Sequence, residues 1–255
     1  MNPLHFLDPV RFARESLAFH PDSIQCEVLR SNSRRCLLNC TRQWGKSTIA
    51  AIIALHRALF LERSLILCIS PSERQSAELI RKAKSFLEQM NIRPKSDNQN
   101  KSSIVLPNNS RIVGLPCREQ TIRGFSAVSL LLIDEAARVP KTLYHAVRPM
   151  LAVSNGDLWM MSTPNGRQGF FYDAWMSPEW HKIELPATKC PRFSRAFLDE
   201  ERQALGEPLF SQEYLCQFTD PEGSLFSYKL LEPAFTEKIQ SCSQAFTRVN
   251  SRPKT

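Results

Sequence analysis

The sequence predicts an α/β fold, a mainly parallel central sheet flanked by helices, on three observations. Four apolar runs, at residues 34–39, 64–71, 129–136 and 157–164, lack the polar alternation of a half-solvated strand. Strands of that kind are covered on both faces. Segments with helical spacing separate them, as crossovers between parallel strands require. The first run also leads through a short loop, Cys40-Thr41-Arg42-Gln43-Trp44-Gly45, directly into a helix opening Lys46-Ser47-Thr48. That is the strand–loop–helix order of a phosphate-binding loop.

Composition bounds the class. The chain has 255 residues, 42% hydrophobic and 23% charged, ordinary for a globular protein. This is one large domain or one domain with an appendage, and it excludes a disordered chain, a coiled coil and a disulfide miniprotein. No apolar run approaches the roughly 20 residues of a membrane-spanning helix, so no membrane partner is expected. Asp8 and Arg11 interrupt any signal core near the start, so no secretory signal is expected either. A formal charge of +8 favours a polyanionic partner mildly. The eight cysteines form no CxxC pair, and Cys36 and Cys40 lack the partners of a zinc site. They read as buried thiols of a reducing cytoplasm.

In chain order, residues 1–19 form a lead segment. A strand at 34–39 precedes a helix at 45–60 that is apolar almost all round. The strand at 64–71 is closed by Pro71, and a helix over 72–90 starts at a Ser72 cap with Ala77, Ile80, Ala83 and Leu87 on one face. Residues 94–120 are polar with two short strand-like pieces, around Ile104 and Ile112, joined by an Asn108-Asn109 turn. The strand at 129–136 ends in acids, a helix follows over 141–152, and the fourth strand closes at Pro164. After 165 the chain becomes aromatic and proline-punctuated. A helix over 197–206 ends at Gly206, a second follows, and the residues from about Thr236 form a loose tail.

Three motifs carry chemistry. Gly45-Lys46-Ser47 completes a phosphate loop: glycine admits the anion to the backbone, Lys46 reaches the β- and γ-phosphates, and the Ser47 hydroxyl ligates Mg²⁺. The loop departs from the usual pattern at its first glycine position, which is Cys40. GKST alone also fits an ordinary helix N-terminus. Leu130-Leu131-Leu132-Ile133-Asp134-Glu135 ends a buried strand in two acids: Asp134 to hold Mg²⁺, and Glu135, pointing elsewhere by strand alternation, to act as general base. Two solvated acids at a strand end are the plainer reading of that string. Ser162-Thr163-Pro164 closes the next strand, where a hydroxyl pair can sense a γ-phosphate.

The order of these motifs, RQWGKST then LLLIDEA then STP, resembles the ATPase domain of the large terminase subunit of tailed bacteriophages. The resemblance covers roughly residues 20–226, about 165–226 as its C-terminal subregion and linker, and leaves 227–255 as a tail. It implies a P-loop NTPase fold of the ASCE/RecA-like kind, and it accounts for the missing first glycine. FHPDSIQCEVL resembles an adenine-reading segment with Gln25 as its amide; TIRGFSA resembles the segment carrying an arginine ahead of the second motif. The implied roles are these. Gln25 reads adenine. The loop Thr41, Arg42, Gln43, Trp44, Gly45, Lys46, Ser47 and Thr48 holds the nucleotide, with Arg42 on phosphate. Ser47 and Asp134 hold Mg²⁺, Glu135 activates water, and Arg123 is an arginine finger for a neighbouring subunit. Ser162 and Thr163 couple the site to motion.

The implied function is an ATP-driven motor that moves duplex DNA into a procapsid in the cytoplasm of a bacterial host. It works as a homo-oligomeric ring with a portal protein and a small terminase subunit. The family's nuclease domain needs carboxylates, and none occurs from Lys238 onward; the chain is therefore expected to lack it. Candidate DNA contacts are Arg74, Arg81, Lys82 and Lys84 on the second helix, with Lys101 and Arg111 near the hairpin; a solvated helix face accounts for them equally. Two other readings stay open: a superfamily-2-type helicase core, and a non-catalytic prophage fragment that binds nucleotide without turnover.

Overall fold

A computed structural model describes residues 3–95, 102–118, 122 and 124–220. The chain divides into two compact units, Met1–Thr219 and Asp220–Thr255, and only Asp220 of the second is described. Seven strands in the described residues form one sheet: β1 (Arg35–Cys40), β2 (Leu65–Ser70), β3 (Ser103–Val105), β4 (Arg111–Pro116), β5 (Leu130–Asp134), β6 (Asp157–Ser162) and β7 (His181–Leu185). Their spatial order is β3-β4-β2-β5-β6-β1-β7. Every pair is parallel except β3 with β4, an antiparallel pair turning through Asn108 and left-handed Asn109.

The strands read as unbroken apolar runs because each feeds two cores. In β1, Cys36, Leu38 and Cys40 enter one cluster and Leu37 the other; in β5, Leu130 and Leu132 face one and Leu131 and Ile133 the other. The first cluster packs under α4 (Lys46–Phe60) and α5 (Glu73–Gln89). Seven residues of α4 are buried, from Ile49 to Ala58, which explains its lack of a polar face. The second cluster lies under α6 (Lys141–Val147) and α7 (Gly169–Met176). Pro149 has no amide hydrogen, and the helix expected over 141–152 accordingly passes after Val147 into a 3₁₀ turn, Arg148–Leu151.

Several elements differ from the sequence reading. Within the lead segment, residues 3–19 carry α1 (Pro3–Leu7) and α2 (Pro9–Ser16), whose Val10, Phe12 and Ala13 join the main core, and α3 (Ser23–Arg30) follows. Asp8 caps α2 and pairs with Arg30, and Phe12 is fully buried. In the aromatic stretch after 165, α7 and the edge strand β7 emerge. β7 buries only Ile183 and Leu185, too weak an alternation to read from sequence. The strand expected to end at 136 stops at Asp134, and Glu135 turns left-handed (φ 49°). The helices α8 (Arg195–Leu205) and α9 (Glu207–Glu213) follow, with Gly206 between them at φ 74°. The cysteine reading agrees for Cys36, Cys40, Cys68, Cys190 and Cys216, which are buried free thiols; Cys26 and Cys117 are only half-buried, and Cys242 lies outside the described residues.

Candidate active site

The sheet order creates the site. β6 runs between β1 and β5, and its register sets Ser162 beside Asn39 and Met161 beside Asp134. The carboxyl ends of the three motif-bearing strands therefore meet at one point, where open α/β sheets bind ligands. The loop after β1 makes its turn with Gln43 at φ 58° and Gly45 at φ 100°. Gly45 is the N-cap of α4 and gives no side-chain cap. The helix N-terminus is thus left facing the cleft, the arrangement that favours an anion. A Cβ at Gly45 would lie 3.2 Å from Gln25 Nε2, in a backbone region side chains rarely adopt.

Lys46 Nζ stands 3.4 Å from Glu135 Oε1, with its side chain only 10% exposed. Burial opposes the ammonium, but the Cys40 sulfur and the Glu135 and Asp134 carboxylates outweigh it and keep Lys46 above its usual value. Asp134 ends β5, buried; lost hydration, then the charge of Glu135, push its carboxyl up to about 6. Glu135 parts from Asp134 because its backbone leaves the strand, not by strand alternation. Ser162 Oγ accepts the Ala137 N–H at 3.2 Å and donates to Glu135 Oε2 at 3.5 Å. Arg42, Lys46, Ser47, Lys82, Glu135 and Arg138 are among the residues lining a cleft of about 410 Å³.

Gln25 is 2% exposed. Its Oε1 accepts the Asp22 N–H at 3.1 Å and its Nε2 donates to the Trp44 carbonyl at 3.2 Å. The amide keeps one further hydrogen and one lone pair, at the wall of a pocket of about 240 Å³ shared with Trp44, Gly45, Thr48 and Arg192. Thr41 is buried and donates to the Glu213 carbonyl at 3.1 Å. Arg42 reaches away from the loop to Glu213, 2.5 Å from its Oε2. The Trp44 indole is buried with its Nε1 unpartnered.

The candidate DNA contacts separate. Arg74 and Arg81 are exposed, Arg81 paired with Glu78, and Lys84 is half-buried. Lys82 departs from that face: it turns inward, its Nζ 3.3 Å from Thr48 Oγ1, and lines the cleft. Burial holds its ammonium below the usual value, against the pull of Asp134. Arg111 lies half-buried in β4. Arg123 and Lys101 lie outside the described residues.

Sequence reasoning missed Arg138, Glu213 and Arg192. Arg138 donates to Glu135, Thr163 and Glu213. Arg192 donates to the Trp44 carbonyl at 2.6 Å and pairs with Asp22. None sits in a motif: Arg138 reaches Glu135 from three residues on, whereas Glu213 and Arg192 reach the site by tertiary packing.

Among the described residues no three His, Cys, Asp or Glu side chains cluster as a metal cage. One buried carboxylate, Asp134, beside a hydroxyl-bearing first helical turn fits a hard cation that keeps most of its waters, as Mg²⁺ does.

The family described as "Terminase large subunit, T4likevirus-type, N-terminal" matches residues 37–233. The large terminase subunits of Thermus phage G20c and Thermus virus P23-45 are each 23% identical to the chain over 250 residues, covering 84% of it and 52% of the relative. The chain thus spans about half the length of these curated relatives. Among solved structures, the large terminase ATPase domain of Thermus phage P74-26 matches with a TM-score of 0.74 at 20% identity, covering 84% of this chain and 100% of that one. The HK97 bacteriophage large terminase matches at 0.68 and 16% identity, covering 84% and 55%. The large terminase of a thermophilic bacteriophage, in complex with ATP-gamma-S, matches at 0.59 and 11%, covering 84% and 52%. At these identities the likeness establishes the fold.

Proposed function

The chain belongs to the terminase large subunit family through its N-terminal module, and from that premise we propose that it is the ATP-hydrolysing motor part of a phage DNA-packaging machine. The observation that carries the reading is the Lys46–Glu135 pair at the shared end of β1, β5 and β6, with Ser162 against the same carboxylate.

In this reading the ATP phosphates enter the cleft at the start of α4. Lys46 and the loop 41–48, with Thr41, Gln43, Trp44 and Thr48 shaping it, bind them, and Gln25 reads the base with its spare amide hydrogen and lone pair. Ser47 and Asp134 would hold Mg²⁺, which when bound neutralises charge on the phosphate oxygens. Glu135 orients a water and takes its proton as it attacks the γ-phosphorus, while ADP leaves. Arg42 supplies positive charge from the loop, and Arg123 completes the site of a neighbouring subunit. Ser162 and Thr163 pass the change on to the C-terminal subregion. The wider assembly is part of the proposal: duplex DNA as track, a ring of subunits, a portal protein and a small terminase subunit, in the bacterial cytoplasm. The ATPase module runs over about 20–226 with a tail beyond it.

Steady-state ATPase with Mg²⁺, parent beside Glu135→Ala, is the deciding measurement. We expect binding of a fluorescent ATP analogue to survive in the variant while turnover falls by roughly 10²-fold or more. Equal turnover in both proteins would sink the reading.

A further inference from the structure

We propose that Arg138 is the positioning residue for the general base: one guanidinium fixes the Glu135 carboxylate relative to the end of β6 and to α9. The inference rests on the ATPase reading of the site.

The geometry is a three-way clasp. Arg138 Nη1 donates to Glu135 Oε2 at 3.1 Å and to Thr163 Oγ1 at 2.9 Å, and Nη2 donates to Glu213 Oε1 at 3.2 Å. Glu213 is 8% exposed at its side chain and Arg138 31%, so the ties to Glu213 and Thr163 are part-buried, and the Arg138–Glu135 pair is the more exposed of the three. The backbone repeats the tie: the Arg138 amide donates to the Glu135 carbonyl at 2.8 Å. Glu135 is held left-handed at φ 49°. Such a conformation is strained for a residue with a side chain and persists where the surroundings over-determine it.

Lys46 is the other cation on Glu135. A bound nucleotide recruits that lysine to its phosphates. Glu135 then retains Arg138 and the Ser162 hydroxyl as its partners among these contacts. The guanidinium is planar and forked, so it sets its three acceptors at fixed separations, which a lysine ammonium cannot do. A shift of Thr163 or of α9 therefore moves the base carboxylate, and the reverse holds.

The test uses the full chain, with ATP turnover and binding of a fluorescent ATP analogue read side by side. Arg138→Ala is expected to lower kcat about 10- to 100-fold while analogue affinity stays within about threefold. Arg138→Lys, which keeps the charge but not the fork, is expected to restore part of kcat; Arg138→Gln guards against an alanine variant that folds poorly. Combining Arg138→Ala with Thr163→Val should cost less than the product of the single effects, because both break one clasp. Parental kcat in a folded Arg138 variant, or a strictly multiplicative double variant, overturns the proposal while the ATPase reading stands. Absence of Glu135-dependent turnover in the parent overturns the ATPase reading itself, and the proposal with it.

Discussion

Asp134 shows how one side chain ties stability to function. Its carboxyl is pushed up to about 6 from 3.8 by burial and by Glu135. The folded chain therefore holds this proton more tightly than the unfolded chain does. Its contribution is favourable below pH 4 and is lost as pH rises towards 6, by about 3 kcal/mol at most. Without metal, Asp134→Asn should melt higher than the parent at pH 7.5, and the gap should close near pH 4. Mg²⁺ should raise the parent's melting temperature at pH 7.5 and leave the variant unmoved. Thermal melts with EDTA or Mg²⁺ at the two pH values check both statements. That Lys46, Ser47 and Glu135 line one cleft was legible because each lies in a short string with a defined partner. The inward turn of Lys82 was not legible: helical spacing leaves the two flanks of α5 equivalent until the cleft wall forms beside one of them.

Among the elements, α5 shows how packing behind the site supports it. Gly114 of β4 lies directly beneath this helix. A Cβ there would meet Ile80 Cγ1 at 2.8 Å and the Ser76 carbonyl at 3.0 Å. Gly114→Ala should destabilise the fold by about 1–3 kcal/mol. Gln75 and Lys82 of α5 line the cleft, so the displaced helix should also weaken binding of an ATP analogue. Denaturant melts and an analogue titration read the two effects together. The four central strands and the helices α4 and α5 were readable because their apolar periods are long. β7 and α7 were not: β7 is an edge strand with two inward residues, and α7 lies in an aromatic stretch without a helical stripe.

For the whole molecule, the proposed motor requires neighbours. If Arg123 of one subunit completes the site of another, specific activity should rise with protein concentration. Glu135→Ala and Arg123→Ala should each be inactive, and mixing the two should restore part of the parental rate. Activity independent of concentration, with no rescue on mixing, would count against a shared site.

The sequence by itself determined that a Gly-Lys-Ser loop, an Asp-Glu strand end and a hydroxyl pair follow one another in an α/β chain. These are local strings, readable from their own residues. The tertiary structure alone decided that β6 lies between β1 and β5, that Thr163 and Glu213 meet Arg138 beside Glu135, and that α2 belongs to the core. Strand order and long-range side-chain pairing depend on which faces bury against each other. A one-dimensional apolar pattern shows that a strand is covered on both faces without naming what covers it.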